Sequence, residues 1–222
     1  MRSSPKARLA VLLVAAATMT PAPASARIIE VGKTAQETPP SCPSNPCQAV
    51  SRTTGYQAKV GAERGVFAAP ADGKIVAWSI TLGRPGPKQV AFFDQNYGGA
   101  ARAGISIIKP GIKLFGRVTG QSPVMSLVPF FGQAVQFPLG RALNVKKGYL
   151  IALTVPSWAP ALSLGMGNDT SWRASRGRGH CQDTGNQTAQ LRLKALAQYR
   201  CLYRTARLTY SATLITTPQP AR

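Results

Sequence analysis

The residues of this chain that could carry out catalysis are few. The sequence of 222 residues contains a single histidine, His180, followed directly by Cys181. A cysteine nucleophile needs a base within hydrogen-bond reach, but neighbours in an extended chain point to opposite sides. The sequence contains neither a Gly-x-Ser-x-Gly elbow nor a His-Glu-x-x-His motif. We therefore interpret His180 as a surface residue beside a disulfide, and we predict a protein that is not an enzyme, with no catalytic residues.

Carboxylates offer a second kind of chemistry. A glycosidase needs two of them on opposite sides of a sugar bond, and this chain has only seven Asp and Glu residues. The candidates beyond the first fifty residues are Glu63, Asp72, Asp94, Asp169 and Asp183. None belongs to a local catalytic signature, and turn chemistry explains Asp72 and Asp169. A hydrolase of wall polymer or polysaccharide, with carboxylates brought together by the fold, remains the alternative function.

We expect neither a metal ion nor another cofactor. Calcium sites need several oxygen ligands with carboxylates among them, and zinc sites need closely spaced cysteines and histidines. The scarcity of acids and the single histidine fit neither pattern.

Two segments combine arginine with aromatic residues. The chain has 27 Lys and Arg residues against seven acids, for a formal net charge of +20. Arginine pairs bidentately with phosphate or carboxylate, and aromatic faces stack on sugars. The predicted ligand-binding residues of these segments are Trp172, Arg173, Arg176, Arg178, Tyr199, Arg200, Tyr203 and Arg204. They indicate a site for an anionic polymer, either a wall polymer or an acidic polysaccharide, and we do not expect nucleic acid as the main partner.

Each of these aromatic assignments has a structural alternative. The two basic segments are also compatible with a solubilising arginine surface that keeps Tyr199 and Tyr203 in the core. Trp158 lies between Pro156 and Pro160 at the end of a predicted strand. We include it among the binding residues as an exposed loop aromatic, and the alternative is a plug over the end of the core.

The first 26 residues are typical of a secretory signal peptide. Arg2, Lys6 and Arg8 precede the apolar residues 9–18, and an Ala-Ser-Ala sequence ends at Ala26. The apolar run is far shorter than the roughly 20 residues of a membrane span, so we predict cleavage near Ala26 and a mature chain without a transmembrane segment. Cleavage leaves 24 bases against seven acids, a formal charge of +17. We expect a secreted or cell-surface protein.

Export changes the interpretation of the cysteines. Cys42, Cys47, Cys181 and Cys201 are an even number, which favours two disulfides in an oxidising compartment. Three pairings are open. We favour Cys42–Cys47, because the residues between them are rich in Pro, Ser and Asn, and this leaves Cys181–Cys201. The second bridge would draw the two basic segments together.

The positioning elements are predicted to be strands. Residues 74–82, 149–155 and 208–214 alternate apolar and polar side chains with a period of two. Shorter candidates lie at residues 56–60, 90–93, 104–108, 114–118, 135–137 and 162–166. Many short strands separated by turn residues predict an all-β, antiparallel, jelly-roll-like sandwich. Residues 187–198 fit a short helix or a strand equally well. We assign residues 27–52 to an extended lead-in, 53–217 to the sandwich and 218–222 to a tail.

Several segments resemble a family of uncharacterised exported actinobacterial proteins. One is residues 71–80, in which an Asp-Gly turn precedes a strand centred on Trp78, and another is residues 143–153. Relatives tend to have Gly-Asp before that second strand, whereas this chain has Gly148-Tyr149. With residues 92–99 and the Cys42–Cys47 segment, the resemblance covers most of the mature chain. It implies an exported β-sandwich and supplies no catalytic residues.

Overall fold

A computed structural model describes residues 25–34, 38–182 and 187–218. The signal-peptide prediction for residues 1–24 lies outside these residues, as do Asp183 and most of the tail. The β-strands, in chain order, are β1 (Ile28–Val31), β2 (Val50–Val60), β3 (Glu63–Arg64), β4 (Gly73–Thr81), β5 (Arg102–Pro110), β6 (Phe115–Gln121), β7 (Met125–Ser126), β8 (Ala134–Val145), β9 (Leu150–Ala159), β10 (Leu162–Leu164), β11 (Ser171–Ala174), β12 (Leu196–Gln198), β13 (Cys201–Arg204), β14 (Ala206–Leu208) and β15 (Tyr210–Thr216). One α-helix, α1 (Pro87–Tyr97), and the two short 3-10 turns Ile112–Leu114 and Val128–Phe130 complete the described elements.

Antiparallel pairing joins these strands into a four-stranded and a larger sheet. The smaller sheet has the order β1-β15-β4-β8, and the larger one has the order β12-β6-β5-β9-β2-β11-β13. β3 and β7 add to the larger sheet, on β2 and β5, and β10 pairs with β14 separately. The prediction of an all-β antiparallel sandwich is confirmed.

Alternation of side chains supplies the core between the sheets. In β4, Ile75, Trp78 and Ile80 are buried while Lys74 and Thr81 are exposed, and a register shift between Ile75 and Ala77 interrupts the alternation. The Trp78 ring packs against Phe137 of β8 at a centroid distance of 4.8 Å. Burial of such side chains supplies most of the favourable free energy of folding.

The larger sheet also carries a smaller apolar cluster on its other face. Ile108, Val118, Ala152 and Tyr199 form it, and they alternate along the chain with residues of the main core such as Ile107 and Ile151. The chain around β12 covers this cluster through Ala195 and Ala197. The helix considered at residues 187–198 is not formed there, because the end of this segment pairs with β6 as a strand.

The prediction of a strand at residues 90–93 is wrong, because these residues lie within α1. Gly86 caps the helix and its amide donates to Gln89 Oε1 at 2.7 Å. Pro87 takes the first helical position, where its missing N–H costs nothing. Gly98 ends the helix with a φ of 88°, a left-handed conformation that suits glycine. Gly86, Pro87 and Gly98 therefore favour a helix here, whereas the short apolar run of residues 90–93 had indicated a strand.

The two predicted disulfides, Cys42–Cys47 and Cys181–Cys201, are both formed. Cys42 and Cys201 both belong to the main core, and Cys201 begins β13. Within the predicted lead-in of residues 27–52, β1 pairs with β15 and so forms an edge of the smaller sheet. Part of this segment is thus integrated into the sandwich.

Candidate functional site

The two basic segments lie side by side on paired strands. β11 and β13 run antiparallel, with Trp172 opposite Tyr203 and Arg173 opposite Leu202. Ala174 faces Cys201, whose disulfide to Cys181 links the ends of the two segments.

The strand pairing divides the side chains between two faces. Residues directly opposite each other in an antiparallel pair share a face, and neighbours along a strand do not. Trp172 and Tyr203 therefore share one face, and their rings stack at a centroid distance of 4.5 Å. Arg173 lies on the other face together with Arg204, which is opposite Ser171. The sequence did not indicate this separation of the arginines from their aromatic neighbours.

A groove of about 370 Å³ lies on the face that carries Arg173, and we call it the basic groove. Its cationic lining residues are Lys59, Arg64, Arg173 and Arg204. No carboxylate of the described residues lines it. Clustered cations without acids produce a positive local potential that attracts anions.

Hydrogen bonds hold Arg173 in place at the basic groove. Its Nη1 donates to the carbonyl oxygens of Tyr199 and Arg200 at 3.2 and 3.3 Å. Tyr56, which is half-buried, lines the groove beside it. Burial raises the pKa of Tyr56, and the nearby Arg173 charge partly opposes this effect. Both partners of Arg173 are neutral, so its positive charge contributes fully to the groove.

Three of the five predicted binding arginines lie outside the basic groove. Arg178 and Arg200 are exposed and line none of the three described pockets. Arg176 is buried, with 4% of its surface exposed, and it lies on the side of Trp172 and Tyr203.

The prediction of an exposed aromatic at Trp158 is wrong. β9 continues through Pro156 to Ala159, and the Trp158 side chain is fully buried against Phe93 and Phe131. Its Nε1 donates to Asp94 Oδ1 on α1 at 2.8 Å. The alternative interpretation as part of the core therefore describes Trp158.

Tyr199 and Trp172 are also buried, and neither lines the basic groove. Tyr199 is 1% exposed and belongs to the second apolar cluster, and Trp172 is 4% exposed. The Tyr199 hydroxyl has no hydrogen-bond partner among the described residues, and burial raises its pKa far above the ordinary value. The core alternative thus applies to Tyr199, whereas Tyr203 is only half-buried.

The carboxylates considered for hydrolysis have separate structural roles. Asp72 accepts from Lys146 Nζ at 2.9 Å and from the amide of Lys147 at 2.8 Å, and these two hydrogen bonds lower its pKa. Asp94 accepts from Trp158, and Glu63 is exposed on β3. No two carboxylates of the described residues line the same pocket.

The structure also bears on metal binding and on membrane spanning. Among residues 25–34, 38–182 and 187–218, no group of three or more His, Cys, Asp or Glu side chains is placed to hold a metal ion. In the same part of the chain, α1 is the one α-helix and is too short and polar to cross a bilayer.

Two residues of the basic groove were not anticipated from the sequence. Lys59 and Arg64 reach it because β2 pairs with β11 on one side and with β3 on the other. The period-two pattern predicted a strand at residues 56–60, but no local signal identifies its neighbours. Non-local strand pairing therefore completes the groove.

Comparisons of the chain with protein-family models, curated proteins and solved structures found no match.

Proposed function

We propose that the protein is an exported, non-enzymatic β-sandwich that binds an anionic extracellular polymer through the basic groove. The observation that carries this proposal is the set of four cations, Lys59, Arg64, Arg173 and Arg204, that line one groove without a carboxylate. Arginine favours carboxylate and phosphate groups because its planar donors match their geometry. A wall polymer or an acidic polysaccharide repeats such groups along its length.

Export is supported by two independent features. The first 26 residues are typical of a signal peptide. The two disulfides are typical of proteins that mature in an oxidising compartment. In such a compartment the protein meets wall polymers and acidic polysaccharides directly.

The test is binding of the mature protein to immobilised teichoic acid and polygalacturonate across a salt series, with neutral dextran and DNA for comparison. We expect retention on the acidic polymers at low salt that weakens as salt rises, because salt screens exposed charges. Lys59→Gln, Arg64→Gln and Arg173→Gln combined should weaken binding by about tenfold or more, at about 0.5 kcal/mol or more for each charge.

A control must distinguish binding through the basic groove from binding through net charge alone. The control variant combines Lys88→Gln, Arg102→Gln and Arg141→Gln, three exposed residues that line none of the described pockets. An equal loss in both triple variants would show that binding follows net charge rather than the groove. Release of reducing ends from polygalacturonate would instead support the hydrolase alternative.

A further inference from the structure

A second pocket lies on the opposite side of β11 from the basic groove. It has a volume of about 520 Å³ and is lined by Phe92 and Tyr97 of α1, Trp172 of β11 and Tyr203 of β13. We call it the aromatic pocket. Volumes of roughly 300–1,000 Å³ with apolar walls are typical of small-molecule sites.

The walls of the aromatic pocket suit a flat apolar body. Trp172 and Tyr203 form one stacked pair, and Phe93 and Tyr97 form another at a centroid distance of 5.8 Å. Phe92 is 53% exposed although it is a large aromatic residue on a helix. Aromatic rings contribute favourable stacking and edge-to-face contacts with a ring placed between them.

One buried cation also lines the aromatic pocket. Arg176 is 4% exposed, and among the described residues its guanidinium donates to neutral groups. Nη1 donates to the Tyr203 hydroxyl at 2.5 Å and to the Cys181 carbonyl at 3.5 Å, and Nη2 donates to the Ser51 carbonyl at 2.8 Å. The salt bridge found among the described residues joins Lys146 and Asp72, which are far from Arg176 in the sequence. No carboxylate of the described residues lines the aromatic pocket. Within the part of the chain that the structure describes, the positive charge of Arg176 thus has no counter-ion there.

Two residues that line the aromatic pocket also have buried hydrogen-bond donors without a partner. Arg176 Nε and Trp172 Nε1 are both buried without a hydrogen-bond acceptor among the described residues. A buried charge without a counter-ion and buried donors without acceptors both cost free energy. A negative charge in the pocket would offset the cost of the buried charge by attraction to the guanidinium.

From these contacts we infer that the aromatic pocket binds a small organic monocarboxylate with an aromatic body. The carboxylate pairs with Arg176, and the ring packs between Phe92, Trp172 and Tyr203. The pocket is lined by two arginines, of which Arg176 is buried and Arg204 is exposed. One buried guanidinium matches a single negative charge, whereas a phosphate carries nearly two and needs more buried donors. This site goes beyond the proposed polymer binding and does not depend on it.

The experiment is isothermal titration calorimetry of the mature protein with benzoate, 3-phenylpropionate and indole-3-acetate. We expect saturable binding of at least one acid. Its uncharged amide should bind about tenfold more weakly or worse, since a charge-assisted hydrogen bond contributes about 1.5–3 kcal/mol. Absence of binding by all three acids, or equal binding of acid and amide, would overturn the inference.

Variants locate the site. Phe92→Ala removes a wall that is half exposed, so the variant should fold and lose affinity for the acid severalfold. Phe115→Ala, an exposed aromatic on β6 that lines no described pocket, is the matched control. Arg176→Met should abolish the preference for acid over amide, and an unchanged preference would contradict the assignment. Lys59→Gln with Arg64→Gln should leave acid binding intact, which separates this site from the basic groove.

Discussion

Trp172 and Tyr203 lie directly opposite each other on β11 and β13, with their rings stacked at a centroid distance of 4.5 Å. Because Trp172 and Tyr203 share one face of the strand pair, Arg173, which follows Trp172 along β11, lies on the opposite face. The same strand pair therefore contributes aromatic residues to one pocket and Arg173 to the basic groove, while Arg204 lines both. Substitutions in adjacent residues should consequently have different effects.

We predict that Trp172→Ala destabilises the fold much more than Arg173→Gln does. Trp172 is 4% exposed, and truncation of a buried tryptophan costs about 3–5 kcal/mol. Arg173 is half-buried, and loss of its bonds to two carbonyls should cost about 1 kcal/mol. Urea denaturation measured by circular dichroism gives both values. Similar losses for the two variants would contradict the division between faces.

The sequence predicted the fold class better than the site. Period-two alternation identified the long strands around Trp78, Ile151 and Leu214, because this pattern is local. The helix α1 was missed because its boundaries depend on Gly86 and Gly98 rather than on apolar periodicity. The groove was only half anticipated: Arg173 and Arg204 were identified from composition, but Lys59 joins them through a pairing of strands far apart in the sequence. Burial of Trp158 and Tyr199 likewise depends on packing partners that lie elsewhere in the chain.

The two disulfides should differ in their contribution to stability. Cys181 and Cys201 are separated by 20 residues, whereas Cys42 and Cys47 are separated by five. The chain-entropy treatment gives about 3 kcal/mol for the longer loop and about 2 kcal/mol for the shorter one. We therefore expect Cys181→Ala with Cys201→Ala to unfold at lower urea than Cys42→Ala with Cys47→Ala. The reverse order would show that local packing, rather than loop length, determines the contribution.

The hydrogen bond from Trp158 to Asp94 should stabilise the contact between α1 and β9. Asp94→Ala leaves a buried indole N–H without its acceptor, at a cost of about 1–3 kcal/mol. Asp94→Asn retains a side-chain oxygen and should lose less. Tryptophan fluorescence during urea denaturation reports the transition. Glu63→Gln, at an exposed residue, is the control and should change the free energy of unfolding by less than about 0.5 kcal/mol.

Asp72 should titrate below its ordinary pKa of 3.8. The hydrogen bond from Lys146 is the main cause, and the amide of Lys147 adds to it. A lowered pKa favours the folded state above pH 3.8, and this contribution disappears as the pH falls through the lowered value. Titration of the carboxyl followed by NMR measures the shift. Lys146→Gln should raise the pKa toward 3.8, whereas Lys147→Gln keeps the amide donor and should change it little.

Removal of two buried tyrosine hydroxyls should have different effects on the free energy of unfolding. The Tyr210 hydroxyl donates to the Ile151 carbonyl at 2.8 Å, whereas the Tyr199 hydroxyl has no partner among the described residues. Tyr210→Phe loses a buried hydrogen bond and should destabilise the protein by about 1 kcal/mol. Tyr199→Phe removes a buried polar group that pays a desolvation cost without a bond, so it should be neutral or stabilising. Each free energy of unfolding comes from urea denaturation at neutral pH, where both hydroxyls are protonated. A loss in Tyr199→Phe equal to that in Tyr210→Phe would show that the Tyr199 hydroxyl has an acceptor, such as a bound water molecule.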